Sequence, residues 1–193
     1  MQFRDRYEFL SNFYPVTVAY EGAVLPSVEH AYQAAKTTVI QEKNTIRLAD
    51  TPGKAKRLGR RVTLRPGWNG MRVDVMAELV AQKFSKENPE LRRQLDYTDD
   101  EVLVEHNHWH DNFWGSCTCY RCGDRGKNVL GKILMLVRTQ IREEDWVSPE
   151  EALAAKVASG EPLFLVYDGP PIEMVWDAKK RVYVGTVKGA QNG

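Results

Sequence analysis

Ser27-Val28-Glu29-His30-Ala31-Tyr32-Gln33-Ala34-Ala35-Lys36 is the stretch on which the reading of this chain turns. Ser27 suits a helix N-cap, because its hydroxyl accepts from an unpaired amide of the first turn. A helix from 28 to about 39 is expected to follow. Glu29 falls in its first turn, where the helix dipole favours negative charge and is expected to hold the carboxylate ionised. Glu29, Gln33 and Lys36 stand at i, i+4 and i+7, so they share one face. A carboxylate, an amide and an amine beside Tyr32 make a plausible pocket wall, although the same spacing describes an ordinary solvated face.

Working outward, residues 17–26 read as two short strands about Glu21-Gly22. Thr51-Pro52 has the form of an N-cap followed by proline, with Gly59 as a stop, giving a short basic helix. Val73, Met76, Val80 and Phe84 recur at helical spacing, so 71–87 reads as a helix with a buried face. Asn88-Pro89 restarts another helix, with Leu91 and Leu95 inward. Residues 101–105 read as a short strand. Asn128 is placed to cap a last core helix through Val129, Ile133, Leu136, Val137 and Ile141. The expected fold is α+β: a mostly helical single domain with short strands over 1–145. Residues 146–193 change character, with a helix at 150–159, a strand at 162–167 and a hairpin about 177–180. They are expected to form a C-terminal β-rich appendage.

The chain has 193 residues, 42% of them hydrophobic and 27% charged, which suits one globular domain with a real core. Net charge is +1, so no global field would hold it on bulk DNA or an anionic membrane. Charge is unevenly spread, however. Between Asp50 and Asp74 there is no acid, while Lys54, Lys56, Arg57, Arg60, Arg61, Arg65 and Arg72 all fall there. This is either a solvated basic face or a rim that holds phosphates. No apolar run approaches the roughly 20 residues that span a bilayer, so no membrane partner is expected. With no apolar signal core behind Met1, and an odd cysteine count, a cytoplasmic location is expected.

Three of the four histidines alternate in Glu105-His106-Asn107-His108-Trp109-His110-Asp111, and Cys117-Thr118-Cys119-Tyr120-Arg121-Cys122 follows. Thiolates beside imidazoles suit zinc, which takes four N/S ligands in a tetrahedron. Cys-x-Cys-x-x-Cys lacks a fourth cysteine, so a structural zinc and plain reduced thiols both stand as readings. Gly123-Asp124-Arg125-Gly126-Lys127-Asn128 runs into a helix, an arrangement that can bring backbone amides to a phosphate. It is not a Walker A loop, because Asn follows the Gly-Lys. Trp68, Trp109 and Trp114 lie beside polar residues, either as packing or as platforms for a base.

These motifs together resemble the NADAR superfamily, whose bacterial members include YbiA-like N-glycosidases. The resemblance runs from Phe3 to about Ile141 through Phe9 to Phe13, Val28-Glu29-His30, Gln33 to Lys36, Leu58-Gly59-Arg60, Trp68, Met76 to Phe84, Leu103 to Glu105, Asp111, Trp114-Gly115 and Gly126 to Gly131. It implies an α-rich α+β fold with a deep pocket for a ribose-phosphate compound, no required cofactor, and cleavage of a C–N glycosidic bond. Two substrate branches follow from it: ribosylated riboflavin-pathway intermediates, and ADP-ribose on modified guanine in DNA or RNA. The basic stretch leans toward the second. Glu29, Lys36 and Asp111 are the expected catalytic groups. Arg4, Ser11, Asn12, Phe13, Arg60, Trp68, Trp114, Gly115 and Asn128 are the expected substrate contacts. The cysteine-bearing insert falls between matched motifs and is expected to be dispensable for chemistry. The rival classes are a non-catalytic ADP-ribose-binding module and a zinc-stabilised nucleic-acid-binding protein.

Overall fold

Every residue of the first long helix, α1 (Val28–Ala35), is buried in a computed structural model of the chain. The structure describes Phe3, residues 5–145, Ala158, and strands at 163–165, 172–177 and 182–187. The chain divides into two units, Met1–Glu144 and Asp145–Gly193.

In the first unit, α1 is surrounded by α2 (Ile40–Arg47), α3 (Pro52–Gly59) and α4 (Trp68–Lys83). Ser27, in extended conformation, caps α1 by accepting from the His30 amide. The His30 ring ties the helix down at both nitrogens. Nδ1 lies 2.8 Å from Ser27 Oγ, and Nε2 lies 3.1 Å from the Ala49 carbonyl that follows α2. Alanines 31, 34 and 35 keep the helix thin enough for neighbours on every side. Gly59 completes the fit, since a Cβ there would stand 2.0 Å from Gln33 Oε1.

Strands β1 (Val18–Tyr20) and β2 (Ala23–Leu25) form an antiparallel hairpin in which Val18 pairs Leu25. Glu21 and Gly22 both take positive φ, 47° and 74°, which matches the right-handed twist of a two-residue hairpin. The outer edge of β1 is closed by a side chain: Ala19 donates to Gln82 Oε1, and Gln82 Nε2 donates back to Ala19 O. That pairing occupies backbone groups an edge strand would otherwise offer to another chain. A core running through Leu10, Val28, Leu79, Phe84, Leu95, Leu103 and Leu134 joins these elements to α5 (Pro89–Asp96) and α6 (Val129–Asp145).

Several expected boundaries move. The first helix stops at Ala35 rather than about 39. Thr37-Thr38-Val39 is a β-branched run, poor in helices, and the Thr37 hydroxyl turns locally to the Val39 amide and to Glu42. The helix expected at 71–87 runs from Trp68 to Lys83, started by Gly67 at φ 75°. Helix α2 is a further element, on a stretch where Ile46 is the buried residue. The strand expected at 101–105 pairs with no strand among the described residues. Instead Asn128 fills the place of a partner, accepting from Glu105 N at 3.0 Å and donating to Leu103 O at 2.8 Å. Pairing begins one residue later, where β3 (His106–Asn107) runs parallel to β4 (Ser116–Cys117). Asn128 therefore does not cap α6 through its side chain, and Leu136 is 56% exposed while Leu130 and Leu134 take its expected place inside.

In the second unit, β5 (Leu163–Leu165), β6 (Ile172–Asp177) and β7 (Val182–Val187) form an antiparallel sheet in that order, with Asp177 paired to Val182. The helix expected at 150–159 lies outside the described residues apart from Ala158. Among the described residues no helix is long and apolar enough to cross a membrane.

Candidate active site

A cavity of about 440 Å³ opens against the polar face of α1. Glu29, Gln33 and Lys36 all line it, with Tyr32 between them, so the i, i+4, i+7 face is a pocket wall and not a solvated one. Helix α4 contributes Trp68, Arg72 and Met76, again one face at i, i+4 and i+8, and α3 contributes Lys56. The turn after the N-terminal 3-10 segment brings Ser11, Asn12 and Phe13, and the loop through β3 brings Glu105, His106, Trp109, Asp111 and Trp114. The Glu29 amide donates to Asn12 O at 3.0 Å, which fastens that turn to the start of α1.

Electrostatics in this cavity are set by burial. Glu29 is only 5% exposed, and desolvation pushes its carboxyl above the ordinary range. Lys56, the Gln33 amide bond and Lys36 offset this only partly. The expected ionising effect of the helix dipole is therefore outweighed. Gln33 Nε2 donates to Glu29 Oε1 at 2.7 Å and fixes that oxygen. Glu105 is raised to about 7, first by desolvation and then by the neighbouring carboxylate of Asp111, with Lys56 opposing. The Lys36 ammonium is lowered, mainly by burial and further by Lys56 and Arg60, against the pull of Glu29. Asp111 is positioned by the main chain: its Oδ1 accepts from Phe113 N and Trp114 N at 3.1 and 2.9 Å.

Three buried polar atoms on the cavity walls have no hydrogen-bond partner among the described residues: Asn12 Oδ1, Gln33 Oε1 and Arg72 Nε. Buried polar groups are seldom left unpaired; Gln33 Oε1 faces Gly59 of α3, and the Arg72 guanidinium lies over the Phe113 ring. The aromatic residues split into two sets. Trp68 and Trp114 pack on Tyr32, with ring centroids 5.2 and 5.4 Å away, and form the floor. Phe13 and Trp109 are 40% and 52% exposed and flank the Lys56 ammonium at 5.5 and 6.0 Å. The more exposed flat rings are thus Phe13 and Trp109, while Trp68 and Trp114, expected to stack on the ligand, line the same cavity.

Of the expected residues, Glu29, Lys36, Asp111, Ser11, Asn12, Phe13, Trp68 and Trp114 meet at this cavity. Arg60 is exposed and acts on it only through its charge on Lys36. Gly115 is buried beneath the loop, where a Cβ would stand 2.2 Å from Glu105 O. Asn128 faces the 103–105 segment, and Arg4 lies outside the described residues. The glycine loop holds no open phosphate cradle. The amides of Gly126, Lys127, Asn128, Val129 and Leu130 donate to Ser116 Oγ and to the carbonyls of Asn112, Gly115, Phe113 and Trp114. Glu105, Lys56 and Arg72 join the site without having been named among its catalytic or binding residues, while Trp109, read as packing or as a platform for a base, lines it. Arg72 could have been found from its helical spacing to Trp68 and Met76, whereas Glu105 sits in an irregular loop that gives no period.

The NADAR domain family model matches residues 1–142. The riboflavin biosynthesis protein VVA0006 of Vibrio vulnificus is 39% identical over 142 residues, which is 72% of this chain and 37% of that protein. The chain thus spans little more than a third of that relative's length. N-glycosidase YbiA of Escherichia coli is 34% identical over 142 residues, covering 72% of this chain and 85% of the relative. The NMR structure of the E. coli protein YbiA superimposes with a TM-score of 0.65 at 31% identity, over 77% of this chain and 89% of that one. With the family model covering most of the first unit and the cavity lying wholly within the matched residues, the chain belongs to the NADAR domain family.

Proposed function

We propose that the protein is an N-glycosidase that hydrolyses the C–N bond of a ribosylated, phosphate-bearing compound. The observation that carries this is the meeting of Glu29, Glu105 and Asp111 with Lys36, Lys56 and Arg72 at one cavity. Breaking a ribose C–N bond develops positive charge on C1 and the ring oxygen, and needs a proton for the leaving nitrogen. Glu105, raised to about 7, is the proton donor of choice near neutrality. Glu29 and Asp111 face the developing cation. One of them takes the proton of the water that attacks C1, which leaves a free ribose compound and a free base or amine. Lys56 and Arg72 bind the phosphate, and Phe13 and Trp109 stack on the base. Lys36 supplies a further charge or, in its neutral form, an amine able to attack an opened C1.

Ribosylated riboflavin-pathway intermediates are the favoured substrates, supported by the likeness to the Vibrio protein and by the basic residues turned inward. A second reading, removal of ADP-ribose from guanine in nucleic acid, is favoured by Arg57, Arg60 and Arg61, all exposed on and just after α3. Incubating the protein separately with each substrate and separating the products by chromatography decides between them. Release of free amine from the riboflavin intermediate supports the first, release of unmodified guanine DNA supports the second, and turnover of neither removes the glycosidase reading.

A further inference from the structure

His110 Nδ1 lies 3.4 Å from Cys119 Sγ, 3.4 Å from Cys122 Sγ and 3.8 Å from Cys117 Sγ. All four ligand atoms fall within 4.8 Å of one another. Hydrogen bonding does not account for this, since one imidazole nitrogen is a single donor or a single acceptor and serves one sulfur at most. A shared cation does. With Zn–S about 2.3 Å and Zn–N about 2.1 Å, a tetrahedron has N···S edges of about 3.6 Å. The three observed separations bracket that edge.

The surrounding backbone is built to hold this geometry. Cys122 N and Gly123 N both donate to Cys119 O, and Asp124 N donates to Cys117 O. Gly123 takes φ 59°, a left-handed value glycine adopts without strain, so the Cys119–Cys122 turn closes with both sulfurs on one side. Asn112 Nδ2 donates to Cys122 Sγ at 3.1 Å, and Asn112 Oδ1 accepts from Cys117 N. Such a donor to a ligand sulfur is what an outer partner of a thiolate supplies. His110 sits at φ 66°, costly for a residue with a Cβ. Asn107 holds it there by bonding on both sides: its Oδ1 accepts from Trp109 N and Asp111 N, and its Nδ2 donates to Asp111 O.

We propose that His110, Cys117, Cys119 and Cys122 bind one zinc ion in a closed tetrahedral site, and that this ion holds the Trp109–Asp111 segment at the rim of the cavity. Four protein ligands leave no open position, so the ion is structural. Binding releases the thiol protons and leaves three thiolates. His110 lies between Trp109 and Asp111 in sequence, and both line the cavity. The insert is then not dispensable, but its effect on turnover is through positioning. The metal assignment stands independently of the reaction.

The test uses the full chain, purified without chelator. Elemental analysis should find one zinc per chain. The thiols should react slowly with a disulfide reagent until a strong chelator is added, and all three should then titrate. Cobalt exchanged into the site should give the intense d–d bands of tetrahedral coordination with thiolate charge transfer. His110 is exposed and outside the core, so His110→Ala should leave the core folded, as circular dichroism would check, and should weaken metal binding by more than about a hundredfold in competition with a chromophoric chelator. Asn112→Ala should weaken it by about ten- to a hundredfold, the scale of an outer-shell partner. Three freely reactive thiols with no bound metal, or a disulfide between two of them, would overturn the proposal. A cobalt spectrum unchanged by His110→Ala would overturn the assignment of the fourth ligand.

Discussion

Burial raises both Glu29 and Glu105, and their partners distinguish them. Glu29 is held by Gln33 and opposed by two lysines, so its charge is compensated although its carboxyl is raised. Glu105 is raised first by burial and then by the Asp111 carboxylate, with Lys56 opposing, and reaches about 7. Two carboxyls raised by burial but held by different partners can divide the roles of acid and stabiliser. Glu29→Gln keeps shape and hydrogen-bonding reach but removes the charge. Turnover should fall by about a hundredfold or more while ligand affinity changes far less, because the lost interaction belongs to the transition state. Near-normal turnover with weakened binding would make Glu29 a binding residue. If Glu105 is the proton donor, its protonated form is the active one, so turnover should decline as pH rises through about 7. Glu105→Gln should lower turnover and abolish that limb of the pH profile; a limb that persists in the variant belongs to another group. Much of this site was legible in the sequence, because Glu29, Gln33 and Lys36 advertise themselves by helical period. Lys56 was visible only as one cation among many. Which cations turn inward depends on the pairing of Arg65 with Glu21 and of Lys54 with Asp50, and no period encodes such partners.

Among the elements, helices were read better than strands. Pro52–Gly59 and Pro89–Asp96 carry proline at their first turn, and their limits follow from local chemistry. The 101–105 segment has strand-like residues but receives its hydrogen bonds from a side chain distant in sequence, which no local pattern announces. Asn128 thus has an element's task. It takes φ 50°, and Gly131 packs so close that a Cβ there would stand 2.4 Å from Asn128 Nδ2 and 2.1 Å from Leu103 O. Asn128→Gly relieves the left-handed backbone yet leaves Leu103 O and Glu105 N without their partner. It should destabilise the protein by about 1–3 kcal/mol, the cost of part-buried groups left unpaired. Urea unfolding measures this directly. A stability equal to the wild type would mean that water replaces the side chain without loss. Because Glu105 is carried on this segment, the variant should also lose turnover.

For the molecule as a whole, the telling group is Lys83, only 1% exposed. Its ammonium donates to Ser11 O at 2.7 Å and lies among the rings of Tyr14 and Phe84, and burial lowers its pKa to about 7. This bond ties the end of α4 to the turn that carries Ser11, Asn12 and Phe13 to the cavity, so core and site share one polar link. An unfolded lysine titrates near 10.4. Between that value and about 7 the unfolded chain holds a proton at Lys83 that the folded chain does not. Stability should therefore fall as pH drops from about 10 to 7, with this contribution lost below the folded pKa, at a slope of up to about 1.4 kcal/mol per unit. Lys83→Met removes the titration and keeps an unbranched chain of similar length. Other groups titrate in the same window, so the informative quantity is the difference between the two proteins. In urea unfolding at pH 7.5 and 9.0, wild type should gain about 1–2 kcal/mol relative to Lys83→Met. A difference that does not change with pH would mean that Lys83 keeps its proton in the folded protein. Its bond to Ser11 would then be charge-assisted, and its removal would cost the same at every pH in the window.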